Sequence, residues 1–255
     1  MISWGISGNS HDAALAVFKN KELLFASHSE RFSGVKNDPH LDKNLINYAL
    51  HYGEPNEVHW YENPLKKDDR VKTIFNKRPF RTFFLRQRYN KDRKNNSPET
   101  LLQGIGFNGR IIYHSHHSSH TAFSYFTSKF KDSAILSVDG VGEWETVSIS
   151  HGKNRTINTL YSANFPNSLG MLYSTITAYL GFKPNEGEYK VMGLAPYGDY
   201  TRYYDKLNKV FNHTNENLEL HQKYFAWEYS EKVMFTSKLC QLLELQPRLP
   251  EEPIT

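Results

Sequence analysis

The residues best suited to chemistry are concentrated in one histidine-rich segment. Four of the twelve histidines lie within residues 114–120. If this segment is helical, His116 and His120 stand four residues apart on one face, and His117 with His120 is the three-residue alternative. Such pairs are a usual way for a helix to bind a transition metal, although a polar, solvent-facing start of a helix explains the same residues.

Asp139 is the third candidate ligand. It follows the apolar segment 133–138, a predicted strand, where a carboxylate is costly unless it serves a cation or a hydrogen-bond network. Two imidazoles and one carboxylate suit Fe(II), Zn or Mn and leave positions open for substrate oxygens. Because Cys240 is the single cysteine, any metal site must use histidine and carboxylate ligands, and a reducing compartment is expected.

Two glycine-containing turns, residues 5–12 and 139–143, form a second candidate site. Each could direct several backbone N–H groups at one point, which is how such turns bind phosphate, yet glycine is also ordinary in hairpin turns. As a pair, they resemble the phosphate loops of the actin, sugar-kinase and Hsp70 (ASKHA) superfamily, which binds ATP between duplicated lobes. We therefore expect an α/β fold of this type.

The elements that must position these residues follow from hydrophobic periodicity and turn signals. Strands are predicted at 4–7, 13–18, 22–27, 57–61, 110–113, 133–138 and 146–150. Helices are predicted at 41–52, from the histidine-rich segment 114–120 through Phe126, and from Ser168 to Gly181. The opening strand-turn-strand pattern recurs after residue 130. This repeat predicts a complete first lobe over 1–130 and an incomplete second lobe over 131–255.

Composition limits the class of protein. With 38% hydrophobic residues among 255, the chain can bury a core, which excludes a wholly disordered protein. The formal net charge is only +4. No apolar run reaches the roughly 20 residues that a membrane span needs, and the first residues do not form a signal peptide, so a cytoplasmic protein without a membrane partner is expected.

The segment 66–94 differs from the rest because it holds twelve Lys/Arg against three Asp/Glu, interleaved with five aromatic residues. Cations for phosphates and rings for stacking are typical of a nucleic-acid surface. The alternative is a solvated helix whose aromatic side chains pack on the first lobe.

Several motifs together resemble the N-terminal part of the O-carbamoyltransferase family of nodulation factors and antibiotics. They occur in the family's order from residue 2 to the C-terminus, and the last is long enough to be highly specific. The motifs are SERF at 29–32 with Lys36, HHSSHTA at 116–122, DGVGE at 139–143, NSLGMLY at 167–173 and GFKPNEGEYKVMGLAPYG at 181–198.

The resemblance implies transfer of a carbamoyl group from carbamoyl-adenylate, made from carbamoyl phosphate and ATP, to an acceptor hydroxyl. The family's first domain is similar to the universal tRNA threonylcarbamoyl-transfer protein and binds an adenine nucleotide and a metal, usually iron. His116, His120 and Asp139 match its metal ligands. The metal would hold nucleotide phosphate and polarise the acyl phosphate as a Lewis acid.

Other positions match by motif. His11 and Lys36 are expected near the carbamoyl and phosphate groups, although an exposed loop cation also explains Lys36. The remaining matches are expected to line the nucleotide, with Glu188 accepting from ribose hydroxyls: Gly140, Gly142, Gly187, Glu188 and Lys190. For the last three, a packed helix-loop-helix is the structural alternative.

The chain departs from the family pattern in two ways. Ser29 replaces the first of two consecutive glutamates, and family members are about twice as long. The missing part would finish the second lobe, supply a further carboxylate ligand and add a YrdC-like domain that makes carbamoyl-adenylate. We therefore expect no turnover by this chain alone. The alternative function is a metal-dependent nucleotide-binding module; a sugar kinase is disfavoured because paired histidines have no role there.

Overall fold

The computed structural model describes residues 1–77, 79–80, 82–95, 97–212, 217–230 and 233–254, with only the backbone described for 92–95. Contacts between Cα atoms divide the chain into two compact units. Unit 1 consists of Met1–Asp69 and Phe83–Ser119, and unit 2 of Arg70–Thr82 and His120–Thr255. The predicted two-lobe division at residue 130 stays a prediction.

Unit 1 is built on a mixed five-stranded sheet with the order β3-β2-β1-β4-β5. The first three strands form the predicted antiparallel meander, and β4 and β5 continue from β1 in parallel. The strands are β1 (Ile2–Ser7), β2 (Ala14–Lys19), β3 (Glu22–His28), β4 (Glu57–Trp60) and β5 (Arg110–Tyr113). The helices that begin before residue 116 are α1 (Glu30–Ser33), α2 (Lys43–Leu50), α3 (Pro64–Lys77), α4 (Phe83–Asn95) and α5 (Pro98–Gln103).

The core of unit 1 lies on one face of this sheet. Alternate residues of β1, β2 and β4 are buried there, as period-2 side-chain geometry requires. Helix α2 covers the face with Leu45, Ile46 and Ala49. It is shorter than the predicted 41–52 because the Asp42 side chain accepts from the backbone of Asn44 and Leu45 and so begins the helix later.

Unit 2 contains a three-stranded antiparallel sheet in the order β6-β7-β8. Its strands are β6 (Asp132–Val138), β7 (Glu145–Lys153) and β8 (Thr156–Asn164). The helices that follow β5 are α6 (His116–Phe126), α7 (Leu169–Tyr179), α8 (Glu188–Leu194), α9 (Thr201–Asn208) and α10 (Ser237–Leu243). Strand β8 and helices α1, α3, α4, α5, α8, α9 and α10 were not predicted from periodicity, whereas the helix that ends at Phe126 and the helix after Ser168 are confirmed.

A separate core stabilises unit 2. It gathers aromatic and aliphatic side chains from the end of β8 to α10, including Phe165, Tyr179, Leu220, Trp227 and Leu239. Helix α7 contributes Tyr179, its last residue, to this core, while its first residues approach the turn after β6. The helix therefore links the core of unit 2 to one of the predicted functional turns.

No helix in the described part of the chain is both long and apolar enough to cross a membrane.

Candidate metal centre and the turns around it

Helix α6 and the end of β6 bring the three predicted ligands together. One ligand atom each of His116, His120 and Asp139 lies within 4.8 Å of the other two, and the described residues contain no second group of this kind. Both histidines are on α6, one turn apart, and the division into units falls inside this helix. His120 Nε2 is 4.0 Å from Asp139 Oδ2. His117 is buried and does not belong to the group.

The donor set fits a divalent transition metal. Two atoms that bind one cation are separated by at most twice the bond length, about 4.2 Å for bonds of ~2.1 Å. The His120–Asp139 separation already meets this limit, and all three ligand atoms lie within 4.8 Å of one another, so only small side-chain rotations are needed to place them around one ion. Two imidazoles and one carboxylate suit Fe(II), Zn or Mn.

The turn after β6 holds the Asp139 carboxylate in a defined position. The backbone N–H of Asp139 donates to the Thr146 carbonyl over 2.8 Å, which continues the β6–β7 pairing by one residue. Asp139 Oδ1 accepts from the Gly140 N–H over 2.6 Å, while Oδ2 is the oxygen nearest His120. One carboxylate oxygen is thus tied to the turn and the other is directed to the histidine pair.

The glycine N–H groups of this turn are engaged within the hairpin. Gly140 donates to Asp139, and Gly142 donates to the Glu145 carbonyl over 3.0 Å. Both would have to exchange these partners to donate to a phosphate. Their role as phosphate ligands stays a prediction.

Glu188 secures the loop that precedes α8. Its Oε1 accepts from the Ser174 hydroxyl at 2.7 Å and the Asn185 N–H at 2.9 Å, and its Oε2 accepts from the Gly187 N–H at 3.2 Å. Burial alone would raise the pKa of this carboxyl, but these hydrogen bonds outweigh burial and lower it. The structure therefore shows Glu188 as a local anchor, and its predicted contact with ribose stays a prediction.

The two other predicted nucleotide-lining residues flank this anchor. A Cβ atom on Gly187 would lie 2.6 Å from Cβ of Phe182, so only glycine fits there without rearrangement. Lys190 is exposed, with Nζ 5.7 Å from the centre of the Phe182 ring. Helix α8 has no buried residue, but its first residue, Glu188, is hydrogen-bonded to Ser174 on α7, as the helix-loop-helix alternative expects.

His11 and Lys36 lie on two loops of unit 1 that are hydrogen-bonded to each other. In the β1–β2 loop, the N–H groups of Asn9 and Ala13 donate to the carbonyls of Pro39 and Asp38, both at 2.8 Å. His11 is exposed, and its Nδ1 is 2.8 Å from an Asp12 carboxylate oxygen. Lys36 is exposed on the second loop. Their proposed roles at the carbamoyl and phosphate groups stay predictions.

The basic segment 66–94 falls mainly on α3 and α4. Its aromatic side chains behave in two ways, because Phe75 is buried whereas Phe80 and Phe84 are 97% and 80% exposed. Arg78 and Arg81, two of the cations expected to contact nucleic acid, lie outside the described residues. Phe75 is packed, but it belongs to unit 2, so packing of this segment on the first lobe stays a prediction. The two exposed rings fit the stacking interpretation.

Sequence reasoning missed the residues of α7 that hold these sites in place. Ser168 was identified as an N-cap, and its side chain does accept from the Met171 N–H, but its second contact with the Asp139–Gly140 turn gave no signal. Gly170 belongs to the motif at 167–173 but was given no role of its own, and Ser174 was not identified. Their contacts join residues about 14 to 30 positions apart, which periodicity cannot reveal.

Comparison with known proteins covers almost the whole chain. Residues 3–249 match the family model described as "Carbamoyltransferase N-terminus". An uncharacterised protein of Synechocystis sp. is 33% identical over 269 aligned residues, which cover 98% of this chain and 43% of that protein. The nodulation protein NolNO of Sinorhizobium fredii is 28% identical over 211 residues, which cover 79% and 30%.

A shorter match reaches a higher identity. The nodulation protein NolO of Bradyrhizobium diazoefficiens is 39% identical over 89 residues, which cover 35% of this chain and 16% of that protein. The chain thus spans less than half the length of the relatives it matches.

Proposed function

The chain belongs to the carbamoyltransferase N-terminal family, and from this membership we propose that it is the N-terminal part of an O-carbamoyltransferase. The proposed reaction transfers a carbamoyl group from carbamoyl-adenylate, made from carbamoyl phosphate and ATP, to an acceptor hydroxyl. The observation that carries the proposal is the family match over residues 3–249. A small molecule or a nucleotide could provide the hydroxyl.

The proposed metal ligands are His116, His120 and Asp139. Support comes from the grouping of their ligand atoms and from a donor set that suits Fe(II), with Zn or Mn as alternatives. When bound, the cation would supply Lewis-acid polarisation of a phosphate or acyl phosphate oxygen. The protein's own part is to supply these three side chains close together, and they bind a metal in their deprotonated forms.

We propose that the remaining site residues act on the nucleotide and the carbamoyl group. Lys36 would place a positive charge near phosphate, and His11 would lie near the carbamoyl group. Around the nucleotide, Gly187 would allow close backbone approach, with Glu188 and Lys190 beside it. The hydrogen bonds between the loops that carry His11 and Lys36 support a shared site for those two residues.

The same proposal includes an ASKHA-like pair of lobes. Both units contain a three-stranded antiparallel meander with a predicted functional turn between its first two strands. Such a repeat is what duplicated lobes require, and it supports nucleotide binding by both turns.

Calorimetry and mass spectrometry test this function. The chain is titrated with ATP in the presence of Fe(II), Zn or Mn, and is then incubated with carbamoyl phosphate, ATP and a panel of hydroxyl acceptors. We expect metal-dependent ATP binding by the chain alone, and carbamoylated acceptor only when a YrdC-like C-terminal half is added. The full-length Synechocystis relative serves as the matched control.

Two results would contradict parts of the proposal. Carbamoylated product from the chain alone would refute the need for the C-terminal half. If the chain binds ATP in the presence of none of the three metals, the nucleotide and metal assignments are refuted.

A binding module without turnover is the second candidate, favoured by the exposure of Phe80 and Phe84 beside basic helices. Such a surface would bind single-stranded nucleic acid by stacking and phosphate contacts. Replacing both rings by Ala should weaken binding of an oligonucleotide, and replacing Lys77, Arg78 and Arg81 by Gln should flatten its salt dependence by up to ~2 units for single strands. If neither set of substitutions alters the affinity for the oligonucleotide or its salt dependence, this candidate is excluded.

A further inference from the structure

Residues 167–170 were singled out by sequence, yet the proposed function gives them no role. The structure places the start of α7 against the turn that carries Asp139. The Ser168 hydroxyl is 2.6 Å from the Gly140 carbonyl and 3.2 Å from the Asp139 carbonyl, so it donates to this turn. The same oxygen accepts from the Met171 N–H at 3.0 Å, and Ser168 is fully buried.

Gly170 brings the helix backbone still closer to the turn. A Cβ atom at this position would lie 2.5 Å from the Asp139 carbonyl oxygen and 2.7 Å from the Gly140 nitrogen. Both obstacles are backbone atoms, so no side-chain rotation could make room. Any larger residue at position 170 would push the turn away from α7.

We propose that Ser168 and Gly170 are positioning residues for the Asp139 carboxylate. The inference rests on the proposed metal site. Ser168 holds the turn through a hydrogen bond, and Gly170 permits the close approach that this bond requires. With the backbone held on one side and Oδ1 bound by the Gly140 N–H, Asp139 Oδ2 stays directed at His120. Groups that orient metal ligands in this way typically change metal affinity about 10–100-fold when they are altered.

Gly170→Ala is the central test, and the chain offers a matched control. Gly193 also lies in a helix, but a Cβ atom there would meet nothing within 4 Å. Calorimetric titration with Zn(II), and the visible spectrum of the Co(II)-loaded chain, should show weakening of about 10–100-fold and altered coordination for Gly170→Ala. Gly193→Ala should match the parent chain in both measurements. Equal affinity and equal spectra for Gly170→Ala and the parent would overturn the proposal.

Ser168 variants provide a second test should Gly170→Ala fail to fold. Ser168→Ala removes both the donor and the helix cap and should weaken metal binding, whereas Ser168→Thr keeps the hydroxyl and should restore it. A helix cap that acted on stability alone would lower the unfolding temperature of Ser168→Ala without changing the Co(II) spectrum. That result would overturn the positioning role.

A measurement on the metal-free chain separates this inference from the metal site itself. Amide hydrogen exchange in residues 138–143 should accelerate by at least about 10-fold in Gly170→Ala and stay unchanged in Gly193→Ala. Unchanged exchange in both variants would show that α7 does not hold the turn, whatever the metal does. Faster exchange in Gly170→Ala, together with a parent chain that binds no metal at all, would instead refute the proposed metal site, and with it the assignment of Ser168 and Gly170 to a metal ligand.

Discussion

The two meanders, β1-β2-β3 in unit 1 and β6-β7-β8 in unit 2, share a strand order but support their first turns differently. In unit 1, Gly8 faces apolar side chains, because a Cβ atom there would lie 3.5 Å from the Trp60 ring and 3.9 Å from Leu41. In unit 2, the Asp139–Gly140 turn contacts the backbone and hydroxyl of α7 through Gly170 and Ser168. The turn in unit 1 thus packs on side chains and is hydrogen-bonded to the loop at Asp38 and Pro39, whereas the turn in unit 2 lies directly on a helix.

This difference indicates what each turn is suited to do. Apolar side chains and a neighbouring loop can shift slightly together with the turn, whereas a hydrogen bond of 2.6 Å and a direct backbone contact with a helix fix its position more narrowly. A metal ligand needs narrow placement. The proposed metal-binding carboxylate, Asp139, lies in the narrowly supported turn, and the exposed His11 lies in the other.

The largest effect is expected from removing the Trp60 side chain, which packs against the β1–β2 turn of unit 1. Trp60 is almost fully buried and its ring faces Gly8, so Trp60→Ala should cost about 3–5 kcal/mol in the free energy of unfolding. Denaturant titration followed by hydrogen exchange should locate the loss in unit 1. The exposed Phe84→Ala is the control and should stay within about 0.5 kcal/mol of the parent. A Trp60→Ala loss shared equally by unit 2 would contradict separate cores.

Metal binding by histidine variants is the most direct way to distinguish the two turns. His116→Ala combined with His120→Ala should lower metal affinity by at least about 100-fold, because two of the three proposed ligands are lost. His11→Ala should leave the metal content unchanged, although its imidazole lies 2.8 Å from Asp12. Binding by the parent should weaken in acid, since ligating imidazoles must be neutral. The metal content is measured by elemental analysis after gel filtration. Loss of metal in His11→Ala alone would show that the metal binds at the turn of unit 1 instead.

A smaller effect is expected at the second contact of α7, where Ser174 donates to Glu188. Glu188→Gln should cost about 1 kcal/mol at neutral pH, because Gln accepts more weakly and its amide N–H₂ cannot accept from Gly187. The folded-state pKa of Glu188 is lowered, so its stabilisation is complete above the unfolded value of about 4.3 and disappears as pH falls through the folded-state pKa. Acid unfolding curves of parent and variant should therefore converge below that pKa. A difference that persists unchanged into acid would show that the carboxylate charge is not responsible.

The smallest expected effect has the opposite sign. Gly193 is on an exposed helix with open space around its Cα, so Gly193→Ala should stabilise the chain by about 0.5–1 kcal/mol through helix propensity. Thermal unfolding measures this gain. Destabilisation by Gly193→Ala would indicate a contact on α8 that makes glycine necessary there too, and would remove the contrast with Gly170.

The amino-acid sequence determined the local elements with strong patterns and the family of the chain. Alternating apolar residues predict β1, β2 and β6, and the spacing of His116 and His120 predicts a ligand pair on one helix face, because both periods are properties of the backbone. The long motif at 181–198 identified the family, which the match over residues 3–249 confirms. Weakly patterned elements were missed: β8 is largely exposed, and α8 has no buried residue.

Only the tertiary structure decided which residues meet. The sequence left His116 and His117 open as partners of His120, and burial of His117 together with the position of Asp139 favours His116. The sequence marked Ser168 as a helix cap, but that α7 also lies against the Asp139–Gly140 turn follows from a contact between residues 28 positions apart. Gly170 is a poor helix former by propensity. Its necessity appears only where two backbones approach within the width of one methyl group, which is a property of packing rather than of local sequence.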